Sequence, residues 1–269
     1  MNMRYKIVLF WISIFFVPVA LEGTDKRKQR AKKAVEYRIP RIIHQIWVGG
    51  PVPEKYKLLM KSWVDKHPDW HYMLWTDSEV EDFKLENKDI FDAAQNFGLK
   101  ADIWRYEIVW RYGGVFLDID FECIKPLDDL HIRYDLYGAR LAPHCSLANG
   151  VIGAQPNHPV LRACIKGLRR CRSKPPISAE DIMRLAGPGL FTRCFLKFMH
   201  DNPKNFAKIL PPESFFPFPS DKRYEFWHHL MTPDGIRAYI RPGTYAIHYW
   251  ACSWSTPGAK EGTLPFTVA

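Results

Sequence analysis

Apolar positions change their spacing several times along the chain, and each change marks an element. Residues 7–21 read IVLFWISIFFVPVAL, an apolar run with almost no interruption. Residues 22–38 turn polar and basic without an apolar period, the pattern of a stem or linker. A folded pattern begins near Ile39 and extends to residue 269. Residues 40–48 carry Ile42, Ile43, Ile46 and Val48 as a buried strand that stops at Gly49-Gly50-Pro51. A helix is predicted over 53–66, a second strand over 71–75, and a short helix capped by Asp77 through Phe83. The strongest helical signal covers 99–112. Leu99, Ile103, Tyr106 and Trp110 fall on one face at spacings of four, three and four residues, and Gly113 ends the helix. Val115-Phe116-Leu117 then forms a short buried strand that delivers Asp118 at its C-terminal end.

Further strands are predicted over 135–141, 150–154 and 245–250, and a helix over 159–171. Ser178 caps another helix, which Gly187-Pro188-Gly189 breaks before helix resumes to His200. Residues 211–219, PPESFFPFP, read as an ordered loop. There is no internal repeat and no low-complexity stretch. Strand alternating with helix predicts an α/β fold, a mainly parallel sheet flanked by helices.

Composition sharpens this picture at the N-terminus. Arg4 and Lys6 precede the apolar run, which fits a signal segment or a short membrane anchor. Cleavage chemistry is poor: Leu21-Glu22-Gly23 is the best site, and Pro18 disfavours cleavage after Ala20. The segment therefore reads as an uncleaved single-pass anchor; cleavage would make the protein secreted. Residues 1–21 are thus anchor or signal, 22–38 stem, and 39–269 one folded domain of 231 residues, enough for a sizeable core. The net charge is +9, and Lys26, Arg27, Lys28, Arg30, Lys32 and Lys33 hold much of the excess. With no nucleic-acid module in view, membrane headgroups are the better partner for that run. By the positive-inside rule it would leave the folded domain in the cytoplasm. None of the six cysteines forms a CxxC pair, so a zinc site is not expected, and the even number does not by itself establish disulfides. Cys164 and Cys171 lie two turns apart on the predicted helix, too far for a disulfide.

The chemistry concentrates at Gly113-Gly114-Val115-Phe116-Leu117-Asp118-Ile119-Asp120. Ligands of α/β sheets bind beyond the carboxyl ends of strands. Two carboxylates placed there repel unless a cation lies between them. Oxygen ligands suit Mn²⁺ or Mg²⁺, which bridge diphosphate oxygens and stabilise the charge of a leaving diphosphate. Asp102 and Arg105, i and i+3 on the preceding helix, are placed to reach the same cleft: Arg for phosphate or carboxylate, Asp for sugar hydroxyls. Taken alone, that pair reads as a local salt bridge and a DxD as a solvated acidic turn; it is the position of the DxD after Gly113-Gly114 and a buried strand that raises the functional reading.

Together the residues resemble glycosyltransferase family 32. The resemblance lies in Lys100-Ala101-Asp102-Ile103-Trp104-Arg105-Tyr106, in Tyr112 through Asp120, in Ile39 through Trp47, and in His67-Pro68-Asp69-Trp70. It covers residues 39–130 closely and weakens towards 255. The family includes outer-chain initiating and inositol-phosphoceramide mannosyltransferases. It implies a GT-A fold, a nucleotide-sugar donor (GDP-mannose first, otherwise a UDP-sugar), Mn²⁺ or Mg²⁺, and retention of configuration. The acceptor would be a glycan, glycolipid or protein. Carried over by position, Asp102 and Arg105 hold the donor sugar, and Asp118 and Asp120 serve the metal. His44, Gln45, Ile46 and Trp47 lie near the nucleotide, and Asn149 faces the transferred sugar. The His248 to Trp254 element closes over the diphosphate, with His248 as third metal ligand and Trp254 as phosphate donor. Phe116 stands where many relatives have Tyr. The resemblance also implies a Golgi or other secretory-pathway membrane, with the domain in the lumen, against the positive-inside reading. Two other functions share the motif: a metal-dependent phosphohydrolase, needing more ligands and a second metal, with Asp128 and Asp129 nearest in sequence; and a lectin-like or sugar-nucleotide-binding protein without turnover.

Overall fold

The strands and helices are β1 (Ile42–Ile46), α1 (Glu54–Lys66), β2 (His71–Trp75), α2 (Asp77–Phe83), α3 (Lys88–Ala93), α4 (Phe97–Tyr112), β3 (Gly114–Leu117), β4 (Phe121–Cys123), α5 (Asp128–Arg133), β5 (Leu136–Arg140), β6 (Leu147–Ala154), α6 (Pro159–Gly167), α7 (Arg170–Ser173), α8 (Ala179–Leu185), α9 (Pro188–Asp201), β7 (Ala207–Leu210), α10 (Arg223–Trp227), α11 (Pro233–Arg237) and β8 (Ala246–His248). They come from a computed structural model that describes residues 35–141, 146–227 and 233–252. The expected anchor, most of the stem and Trp254 lie outside the described residues. Among the described residues, no helix is long and apolar enough to cross a membrane.

Six strands form one mixed sheet in the order β2-β1-β3-β6-β5-β7. Neighbours β1/β2, β1/β3 and β5/β7 are parallel, while β6 runs antiparallel to both β3 and β5. The sheet is thus mainly parallel, as the alternation predicts, with one reversed strand. That reversal matters for the site. Leu117 at the end of β3 pairs with Val151, so Asn149 and Gly150 stand beside Asp118. A second, two-stranded sheet pairs β4 with β8 and sets Phe121 opposite His248.

Helices α4, α6 and α9 bury their apolar faces on one side of the large sheet, around Ile103, Leu161 and Phe191. The other side packs Trp63 of α1 with Leu117, Phe121 and Tyr137. The Trp63 indole donates to the Phe121 carbonyl at 2.9 Å, which ties α1 to β4. Helix α4 opens two residues before its periodic face, where Asn96 Oδ1 accepts from the Leu99 amide at 3.1 Å. It ends at Gly113 (φ 65°) and Gly114 (φ 93°). A side chain at Gly114 would put its Cβ 2.5 Å from the Ile42 carbonyl oxygen, so the turn from helix to strand requires glycine.

Two expectations need correction. The cap of α2 is Thr76, whose amide donates to Glu79 at 2.7 Å in a capping box. Asp77 instead accepts from the amides of Gly49 and Gly50, at 2.9 and 3.2 Å. The single helix expected over 159–171 divides into α6 and α7, so Cys164 and Cys171 do not share a helix.

Candidate active site

Asp118, Ile119 and Asp120 form the three-residue link between β3 and β4, where the chain passes from the large sheet to the small one. Four elements surround it: α4 brings Asp102 and Arg105, β6 brings Asn149 and Gly150, β1 ends at Ile46 and Trp47, and β8 brings His248. These residues line one cleft of about 480 Å³.

Arg105 organises one half of the cleft. Its Nη1 lies 3.0 Å from Asp118 Oδ1 and donates to the Asn149 carbonyl at 2.9 Å. Its Nη2 lies 3.2 Å from Asp102 Oδ1. The guanidinium rests over the Phe116 ring, 4.5 Å from its centre, a contact that phenylalanine supplies as well as tyrosine. Asn149 Nδ2 donates to Asp102 at 2.6 Å. Burial pushes the Asp102 carboxyl up to about 6, with Arg105 and then Asn149 pulling against it. Gly150 is required by contact: a Cβ there would lie 2.4 Å from Asp118 Oδ2.

Asp120 organises the other half. It is nearly buried, and its Oδ1 meets His248 Nε2 at 3.0 Å. Its Oδ2 accepts from the Ala251 amide at 2.8 Å, and its carbonyl from the Tyr249 amide at 3.1 Å. Burial opposes ionisation, but His248 and the Ala251 amide outweigh it and hold the carboxyl below its ordinary range. Trp250 (φ 53°) and Cys252 (φ 47°) flank Ala251 in the left-handed region, a conformation costing about 1–2 kcal/mol per non-glycine residue. A divalent cation fits here: Asp118, Asp120 and His248 each offer one ligand atom, all within 4.8 Å of one another. His248 packs against Phe121 and Trp250, each at 4.4 Å between ring centres, and its Nδ1 is buried with no hydrogen-bond partner among the described residues.

Trp47 lines the cleft, packed against Tyr56 at 5.3 Å with its indole donating to the Pro51 carbonyl at 3.1 Å. His44 and Gln45, expected near the nucleotide, are fully buried beneath the site instead. The His44 Nδ1 accepts from the Trp75 indole at 3.1 Å, so its Nε2 donates to the Gly113 carbonyl at 2.8 Å. That ring is neutral, with burial pushing it down to about 4. Gln45 donates to the Asp118 backbone carbonyl at 3.1 Å and thereby supports the motif from below. Asp128 and Asp129 do not reach the cleft: they accept from Tyr37 and Tyr245, both at 2.7 Å. Two cleft residues escaped the sequence reading: Arg223 and Met183 line it, and no motif in their neighbourhood announces them.

Residues 53–137 match the family described as a glycosyltransferase sugar-binding region containing a DXD motif. The chain is 37% identical over 154 residues to inositol phosphoceramide mannosyltransferase 3 of Schizosaccharomyces pombe, covering 56% of this chain and 43% of the relative. It is 32% identical over 230 residues to inositol phosphoceramide mannosyltransferase 2 of the same yeast, covering 78% and 66%. The chain therefore spans less than two thirds of either relative. The PaToxG glycosyltransferase superposes with a TM-score of 0.51 at 20% identity, covering 60% of this chain and 70% of that one, which shows a shared fold. Residues 53–137 thus carry the glycosyltransferase sugar-binding region with its DXD motif, and the mixed sheet with flanking helices is GT-A-like.

Proposed function

We propose that this protein transfers a sugar, mannose before others, from a nucleotide-sugar donor to an acceptor hydroxyl with retention of configuration. One observation carries the reading: Asp118, Asp120 and His248 converge within 4.8 Å in the same cleft as the Asp102–Arg105 pair. The names of the two yeast relatives support mannose, hence GDP-mannose as donor, and a lipid-linked acceptor over a free glycan or a protein. A cation, Mn²⁺ in preference to Mg²⁺ because one ligand is an imidazole, would be held by Asp118, Asp120 and His248 and would neutralise the diphosphate.

The side chains divide the remaining work. Asp102 accepts from hydroxyls of the transferred sugar, and Arg105 holds Asp102 and Asp118 in register with it. Asn149 and the Gly150 backbone form the wall that the sugar faces. Trp47 offers a ring and Ile46 an apolar edge to the nucleotide base, and Trp254 is proposed to donate to a phosphate. Arg223, an exposed guanidinium on the cleft wall, is suited to the leaving diphosphate. The acceptor hydroxyl attacks from the face that the diphosphate leaves, and its proton passes to a diphosphate oxygen. Residues 7–21 are proposed as the membrane anchor, of Golgi type. A two-metal phosphohydrolase is disfavoured, because the described residues hold a single candidate ligand group.

The test is hydrolysis of a panel of nucleotide sugars by the full chain in detergent with Mn²⁺, Asp120→Asn alongside. Release of nucleoside diphosphate from one donor, abolished by EDTA and in the variant, is expected. Full activity in Asp120→Asn would refute the metal role, and hydrolysis regardless of the sugar would favour a phosphohydrolase.

A further inference from the structure

The segment joining α7 to α8 lies outside the donor cleft. Residues 155–179 contain six Lys and Arg (Arg162, Lys166, Arg169, Arg170, Arg172 and Lys174) and no Asp or Glu. Three of these cations are answered from α3 and the turn before it: Arg162 and Arg169 pair with Glu86, and Arg172 with Asp89 at 2.6 Å. Lys166, Arg170 and Lys174 make no ion pair among the described residues. The unanswered charge rises to an apolar tip. Ile177 is 91% exposed, the most of any large apolar side chain described, and Pro175-Pro176 before it restricts the backbone. Met183, one helix later, is 44% exposed.

A single exposed isoleucine is ordinary on a protein surface. Its setting here is not. Ile177 and Pro176 line a second cleft of about 560 Å³ together with Leu99 and Ile182. Ile182 also lines the donor cleft, as does Met183 beside it. Helix α8 is therefore the wall between the exposed tip and the donor cleft, with apolar side chains on both sides.

We propose that the α7–α8 segment, residues 174–177, docks on an anionic bilayer surface. Ile177 enters the headgroup boundary while Lys166, Arg170 and Lys174 face lipid phosphates and carboxylates. Apolar insertion joined to unpaired cations is the chemistry of interfacial binding. A lipid-linked acceptor at that surface then meets the donor cleft along Met183. That last step rests on the transferase reading above; the docking itself does not. A soluble protein partner is the rival occupant, and it would leave the tip indifferent to vesicles.

The experiment is hydrogen exchange on the full chain reconstituted into phosphatidylcholine vesicles, with and without phosphatidylserine. Wild type, Ile177→Asp and Lys174→Glu all carry the same N-terminal segment, so only the tip differs. Amides of residues 177–183 are expected to gain protection when phosphatidylserine is present and to lose that gain in both variants. Transfer to an acceptor lipid in those vesicles should fall about tenfold in Lys174→Glu, from the cost of reversing one charge at the surface. Nucleotide-sugar hydrolysis without vesicles should match wild type, since neither side chain lies in the donor cleft. No protection on either vesicle, or equal protection in all three proteins, would overturn the proposal. Failure of the transferase reading would show separately, as absence of hydrolysis by the wild type.

Discussion

Gly150 and Asp118 are in mutual contact across a strand end, and their spacing allows no methyl group. The added Cβ of Gly150→Ala would sit 2.4 Å from Asp118 Oδ2. The backbone there is ordinary β conformation, so alanine costs the fold little, and the carboxylate must give way. A displacement near 1 Å of a group that positions substrate is enough to lower kcat/KM by roughly 100-fold. Thermal unfolding should stay within a few degrees of wild type while turnover collapses; wild-type turnover would show that Asp118 need not be held there. Asp102 gives a second test at the same scale. Burial pushes it up to about 6, and Asn149 pulls it back. Above that pH the carboxylate is ionised and pairs with Arg105; below it the group is protonated and the pair weakens. The donor kcat/KM should therefore fall on the acid side of about 6. Asn149→Ala removes the lowering hydrogen bond, so that acid limb should move to higher pH. A limb that does not move would assign it to another group.

At the scale of elements, the small β4–β8 sheet holds the candidate metal ligands Asp120 and His248 together, and its lock is one buried carboxylate. Glu122 of β4 accepts a hydrogen bond from the Tyr249 hydroxyl and pairs with Arg237 at 3.4 Å. Burial and then Glu122 push the Tyr249 hydroxyl up, so it stays a donor throughout the physiological range. Tyr249→Phe leaves the carboxylate buried with its weaker partner and frees the residue next to His248. Stability should fall by about 1–3 kcal/mol, the cost of a buried group losing its hydrogen bond, and Mn²⁺ affinity should fall with it in a calorimetric titration. Unchanged affinity would mean that β4 pairing alone sets His248. The same elements show what was legible in the chain. Helix α4 and strands β1 to β3 announce themselves because each satisfies its own pattern over 4–16 residues. Strands β4 and β8 have three residues each and pair with one another at long range. The strand expected over 245–250 contains β8, whereas β4 was not expected, because its three residues carry too short a pattern to register. The cap of α2 misled because Asp77, the better-known capping type, is drawn off by the Gly49 and Gly50 amides.

At the scale of the whole molecule, the site joins segments far apart in the chain. Asp102 through Asp120 were legible as one contiguous stretch; Asn149 and His248 were named through resemblance, and Arg223 not at all, because only the folded chain brings residue 223 to the cleft. A cation held by Asp118, Asp120 and His248 would therefore fasten the first half of the domain to its last described strand. Whatever binds the native state and not the unfolded chain stabilises it by mass action, by about 2.7 kcal/mol when present at 100 times its Kd. For a domain of this size about 1 kcal/mol moves Tm by roughly 2–4 °C. Saturating Mn²⁺ should thus raise Tm by roughly 5–10 °C, and EDTA should reverse the rise. Asp120→Asn should unfold at a temperature independent of Mn²⁺, since the amide keeps the volume and loses the charge. This readout needs neither donor nor acceptor. A shift that persists in Asp120→Asn would locate the cation elsewhere, and no shift in the wild type would remove the metal from the site while leaving the sugar-binding residues to be tested by their own pH profile.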